Sequence, residues 1–76
     1  MIDNIKKLYD KVRDKRAFIK LLADDFQLTE SSITTNWLST WSIPEYNQPR
    51  VHTLLIRFLK AEMARVERLL NDETED

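Results

Sequence analysis

A chain of 76 residues permits one small domain with a modest core, and its 42% hydrophobic against 33% charged content excludes a disordered polymer. Cysteine is absent, which excludes a disulfide framework and a thiolate metal site, so the core must suffice alone or with a second copy. The net charge of -1 leaves any electrostatic role to the distribution of charge, and no apolar run approaches the roughly 18 residues of a membrane span. The amino-terminal stretch MIDNIKKLYD lacks the apolar centre of a signal peptide. A soluble, intracellular, cytoplasmic protein is expected.

Glycine is also absent, which removes the residue that most easily takes positive φ in tight hairpins and favours an all-α reading. Ile2, Ile5, Leu8, Tyr9 and Val12 recur at helical spacing with Asp3 as a cap, predicting a first helix over residues 3–14. Phe18, Leu21, Leu22 and Phe26 form the stripe of a second, over 15–26. Thr29 can cap a third helix over 30–39, with Glu30 at the positive end of its dipole. Ser42-Ile43-Pro44 marks a loop, because helical geometry is disfavoured just before proline. Asn47 then caps a last helix, with Pro49 in its first turn. An apolar side carries that helix to about residue 70 without a visible break.

The sequence therefore predicts a compact all-α domain over residues 1–71. It has four helices, or five if the long last one is split, and a disordered acidic tail over 72–76. Helices two and three, joined by about three residues, have the layout of a helix-turn-helix, whose second helix can enter the DNA major groove.

Residues 17–59 resemble the helix-turn-helix domain of the lambda-repressor and Cro type. Ala23 falls on that family's small residue between the two helices, Leu28 and Thr29 on its apolar-then-hydroxyl turn exit, and Ile33 on the apolar position of the recognition helix. Trp37 followed by Pro44 is similar to the family's late Trp and following Pro. Gln27 and Thr40 stand where the family commonly has glycine, so a left-handed backbone at Gln27 carries a strain of roughly 1 kcal/mol. Counting from Ala23 puts the second inward position of helix three at Asn36, whereas counting back from Pro44 puts it at Trp37. The helix or its turn must accommodate one extra residue.

The resemblance implies a small sequence-reading regulator of the phage or bacterial kind that binds double-stranded DNA through helix three. Ser31, Ser32, Thr34, Thr35 and Asn36 are the candidate base-reading residues. Hydroxyls can meet base edges, Asn can pair bidentately with adenine, and Thr methyls can touch thymine methyls. This helix also lacks the Glu, Lys, Gln and Arg common on exposed helical faces. Lys15, Arg16, Lys20, Thr29 and Arg50 are the candidates for the DNA backbone. No Lys or Arg occurs from residue 21 to 49, whereas residues 1–20 hold seven basic and three acidic side chains, so phosphate contacts must come from outside helix three.

Leu59, Met63, Val66 and Leu70 continue an apolar seam past the expected core, flanked by Glu62, Arg65, Glu67 and Arg68. This is the pattern of a helix pair and predicts a homodimer, unless the seam folds back on helix one. A second functional reading is a protein-interaction module on the same frame: an adaptor, a virion component or an inhibitor. Such a module would bind a protein partner through Trp41, Tyr46 or the acidic middle formed by Asp24, Asp25, Glu30 and Glu45. The two tryptophans, four residues apart, could share one face, and Tyr46 is expected to close the loop over helix three. With one histidine, His52, and no phosphate-binding glycine loop, no catalytic set, metal site or cofactor is expected.

Overall fold

In a computed structural model, which describes residues 1–74 and the side chains through residue 72, the chain is all-α. Helix α1 spans Ile2–Asp10 and α2 spans Lys15–Phe26. Helix α3 begins as an α-turn over Glu30–Ser32 and continues as a π-helical segment over Ile33–Leu38. A 3₁₀ turn, Glu45–Asn47, leads into α4, an unbroken helix over Gln48–Thr74. Helices α1 and α2 and the 3₁₀ turn pack on α4, while α3 packs on α2. At 27 residues, α4 is about 40 Å long by its rise per residue and accounts for most of the molecule's 48 Å length.

The core is apolar throughout: among the described residues no polar or charged residue is buried. Ile5 and Val12 enter it from the α1 side, Phe18, Leu22 and Ala23 from α2, Ile33 and Trp37 from α3, Ile43 from the loop, and Val51, Leu54 and Leu55 from α4. Phe18 lies between Tyr9 and Phe58, with ring centroids 6.2 and 5.3 Å away. Burial, and then the adjacent Asp10 carboxylate, push the Tyr9 phenol above its ordinary pKa.

Helix α1 ends at Asp10 and not near residue 14, for reasons of tertiary chemistry. The Lys11 and Val12 amides turn back to the carbonyls of Leu8 and Tyr9 at 3.0 Å each. Lys15 Nζ donates to the Val12 carbonyl at 2.8 Å and sits 5.5 Å from the Tyr9 ring centroid. Asp14 Oδ1 accepts from Ala17 N at 3.0 Å, capping α2. The Glu62 carboxylate of α4 takes the Arg13 and Asp14 amides at 3.1 and 2.9 Å. This last clamp comes from a residue 48 positions along the chain and leaves no local mark in the sequence.

At its other end α4 continues to Thr74, so residues 72–74 of the expected acidic tail are helical. Glu75 and Asp76 of that tail lie outside the described residues. The last helix is not split.

Without glycine, two helix ends use other residues in the left-handed region. Gln27 has φ 55° and ψ 45°, and Leu28 N donates to the Ala23 carbonyl at 2.9 Å in a Schellman-type closure. The second left-handed residue is Trp41, φ 54°, one position after Thr40, and Ser42 N closes on the Trp37 carbonyl at 2.9 Å. Each position carries a strain of about 1–2 kcal/mol. Trp41 is held by its half-buried ring, 5.4 Å and 73° from that of Tyr9, whereas Gln27 is exposed.

Gln27→Gly is therefore expected to stabilise the fold by about 0.5–1 kcal/mol in urea unfolding, the relief of strain being partly offset by the greater freedom of glycine in the unfolded chain. An unchanged or lower midpoint would contradict the strain assigned to this turn. Glu62→Ala, by contrast, should cost about 1–2 kcal/mol, because it leaves two amides at the start of α2 without their carboxylate.

Candidate functional site

Helix α3 owes its start to Thr29, whose hydroxyl oxygen accepts from Ser32 N at 3.0 Å while its proton goes to Ser32 Oγ, also at 3.0 Å. Thr29 is thus used as a cap, which limits its value as a phosphate contact. Ser32 is half-buried and tied to it, so this member of the base-reading set stands off the open face.

The middle of α3 is widened. Ser39 N reaches back five residues to the Thr34 carbonyl at 3.0 Å, a bond that accommodates one residue more than an α-turn. Hydroxyl chemistry favours the widening: Thr34 Oγ1 donates to the Glu30 carbonyl at 3.0 Å, and Ser39 Oγ donates to that of Thr35. Such back-bonding competes with the amide ladder and bends helices. Trp37 turns inward, 7% exposed, and packs edge to face on Phe26 with centroids 5.0 Å apart at 80°. Ile33 is fully buried beside it, and Asn36 faces solvent. Trp37 and Trp41 therefore have different partners, Phe26 and Tyr9.

The outer side of α3 presents Ser31, Thr34, Thr35 and Asn36, all exposed, and the exposed Ser39 and Thr40 extend it. These last two escaped the sequence reading, although the run of hydroxyls continuing past Trp37 marks them. Because the Thr34 hydroxyl proton goes to Glu30, its oxygen is left as an acceptor, whereas an Asn amide offers both donors and an acceptor.

The cation candidates separate into two groups. Lys15 is half-buried and directed at the end of α1, so it serves the fold. Arg50 makes a two-point ion pair with Asp25, Nη2 to Oδ1 at 2.7 Å and Nε to Oδ2 at 3.0 Å, joining α4 to the end of α2. Arg16 and Lys20 are exposed and share a shallow depression with Asp14, Ala17 and Glu30, next to the first turn of α3. Hydrogen bonds from Arg50 hold the Asp25 carboxyl below its usual range against a desolvation penalty that raises it, and the Arg50 charge adds to the lowering. The same hydrogen bonds push Arg50 up.

Of the residues proposed for a protein partner, Trp41 is half-buried and Tyr46 is 83% exposed, so Tyr46 does not close the loop over α3. Gln48 spans that loop, donating from Nε2 to the Ile43 carbonyl at 2.9 Å. Asp24, Glu30 and Glu45 are exposed. Among the dimerisation candidates, Leu59 and Val66 are half-buried, while Met63 and Leu70 are exposed by 63% and 56%. Leu59, Met63 and Val66 border a groove that also includes Lys11 and Arg13 of the α1–α2 turn, whereas Leu70 lies outside it. Folding placed those two basic residues there, and no local pattern points to them. No group of His, Cys, Asp or Glu able to hold a metal ion occurs among the described residues, and no helix among them is long and apolar enough to cross a membrane.

Comparisons with protein-family models, with curated proteins and with solved structures returned no match.

Two expectations follow from this geometry. Trp37→Ala should cost about 3–5 kcal/mol of stability, whereas Asn36→Ala should change it by less than about 0.5 kcal/mol. Comparable losses at the two positions would contradict the inward and outward assignment. Because the Asp25 pKa is depressed in the fold, the stability from its pair with Arg50 is present above the ordinary aspartate pKa and is lost as pH falls through the folded one. Arg50→Met should therefore flatten the acid limb of the stability–pH curve below about pH 4. An unchanged acid limb would contradict the pairing.

Proposed function

We propose that the protein binds double-stranded DNA through α3, as a small transcriptional regulator acting as a cytoplasmic homodimer, by recognition and not by catalysis. The observation that carries this reading is the open, uncharged outer side of α3, where Ser31, Thr34, Thr35 and Asn36 are exposed while Ile33 and Trp37 hold the helix to the core. Asn36 is suited to a bidentate contact with adenine, the Thr34 and Thr35 methyls to thymine, and the Thr34 oxygen to the amino group of cytosine or adenine. Arg16 and Lys20, beside the first turn of α3, would supply phosphate contacts. With two such cations per copy, a monomer would grip DNA weakly, and a dimer joined through Leu59, Met63, Val66 and Leu70 would double them.

A second reading has its own support. Lys15 and Arg50 are engaged within the fold, whereas Asp24, Glu45 and Tyr46 are each exposed and could meet a basic protein partner.

Selection from a random duplex pool at low salt, followed by fluorescence anisotropy, separates the two readings. Under the DNA reading, Asn36→Ala lowers discrimination at one base pair by about 1–3 kcal/mol. Removing Arg16 and Lys20 together weakens binding evenly across sequences and reduces the salt slope by about two per copy. Failure to enrich any sequence, with no binding at low salt, would overturn it. Loss of protein capture on Asp24→Asn with Glu45→Gln would then favour the second reading.

A further inference from the structure

Past Glu62, α4 carries Met63, Leu69 and Leu70 exposed by 63, 62 and 56%. Leu59, Met63, Val66 and Leu70 are spaced four, three and four apart, the repeat of a two-helix seam. The groove beside this seam, about 220 Å³, is bounded by Lys11 and Arg13 on one side and by Glu62, Glu67 and the seam itself on the other.

We infer that a second copy of the chain occupies this seam with its α4 antiparallel, Met63 against the partner's Val66 and Leu59 against the partner's Leu70. This pairing rests on the homodimer proposed with the DNA reading and gives it an orientation. Charge decides the direction. In the antiparallel register Lys60 flanks the seam opposite the partner's Glu67, and the twofold axis repeats the contact, giving two opposite-charge pairs. The parallel register would instead set Glu62 against the partner's Glu67, again twice.

The ends of the helices act in the same sense. A parallel pair would bring together two negative helix ends, each carrying the acidic residues Asp72 and Glu73. In the antiparallel pair the two negative ends lie at opposite ends of the seam, so they do not meet.

The consequence for the whole dimer is geometric. The body of each copy sits on the side of α4 that carries Val51, Leu55 and Glu62. In an antiparallel pair those two sides coincide, so both domains project to the same side of the helix pair. With the axis between residues 64 and 65, the two copies of Val51 are about 40 Å apart along the helices, comparable to the 34–36 Å between half-sites one DNA turn apart.

The test is sedimentation equilibrium of the full chain with charge reversals at exposed positions, where folding is not at stake. Lys60→Glu and Glu67→Lys should each weaken the dimer by about fivefold, the effect of two lost and reversed pairs. The double variant should return it to within about twofold of the unaltered chain. A tighter dimer on Glu67→Lys alone, or a strict monomer throughout, would overturn the pairing.

Because the chain has no cysteine, cross-linking gives a second readout. Leu59→Cys mixed with Leu70→Cys should oxidise to the mixed disulfide. Leu70→Cys alone should not cross-link, since its two copies would be about 16 Å apart along the axis. A rapid Leu70→Cys homodisulfide would overturn the antiparallel arrangement while leaving the dimer and its DNA reading standing. The antiparallel pattern in a protein that binds no DNA would support the pairing and overturn the DNA reading.

Discussion

The edge-to-face contact of Trp37 with Phe26 holds α3 to α2 in one rotational setting, and the solvent side of α3 follows from it. With Ile33 and Trp37 both committed to the core, Ser31, Thr34, Thr35 and Asn36 have nowhere to point but outward. The widened turn is part of the same constraint. The Ser39 amide reaches Thr34 across one extra residue, while hydroxyls of α3 occupy carbonyls that an ordinary α-turn would give to amides. The hydroxyls that make the outer side polar also help to set the register in which that side is displayed.

The electrostatics of the surface follow from which charges the fold uses. Lys15 closes α1, Glu62 opens α2 and Arg50 fastens α4 to Asp25, so three charged groups that look like surface chemistry in the sequence hold helix ends and helix pairs in place. The cations left beside α3 are Arg16 and Lys20, on the preceding helix and sharing their depression with Glu30. Binding through such a surface would depend on fit at the groove and on a second copy more than on net charge, consistent with a chain whose total is -1.

Most of the fold was legible because helical periodicity and caps are local signals. Helix α2, the Thr29 cap, the Ser42-Ile43-Pro44 loop and the long last helix follow from residues near them in sequence. The end of α1 was not legible. Val12 continues the apolar spacing, and the Glu62 clamp that turns the chain lies far away in sequence. For α3, the sequence left Asn36 and Trp37 as alternative inward positions, and in the structure Trp37 is inward, within a π-helical segment. Left-handed backbone falls on Gln27 at the end of α2 and, at the end of α3, on Trp41 and not on Thr40. The outer side of α3 was legible as a list of hydroxyls, but Lys15 and Arg50 could not be separated from Arg16 and Lys20 before their partners were known.

We propose the outer side of α3 as a surface for reading DNA. Backbone amide shifts recorded by NMR during titration with a selected short duplex test it most directly, because they locate the contact without altering the protein. The largest changes are expected at Ser31, Thr34, Thr35 and Asn36, with smaller ones at Arg16 and Lys20 and little at Asp24 or Glu45. Changes confined to the acidic residues and Tyr46, or none at low salt, would contradict it.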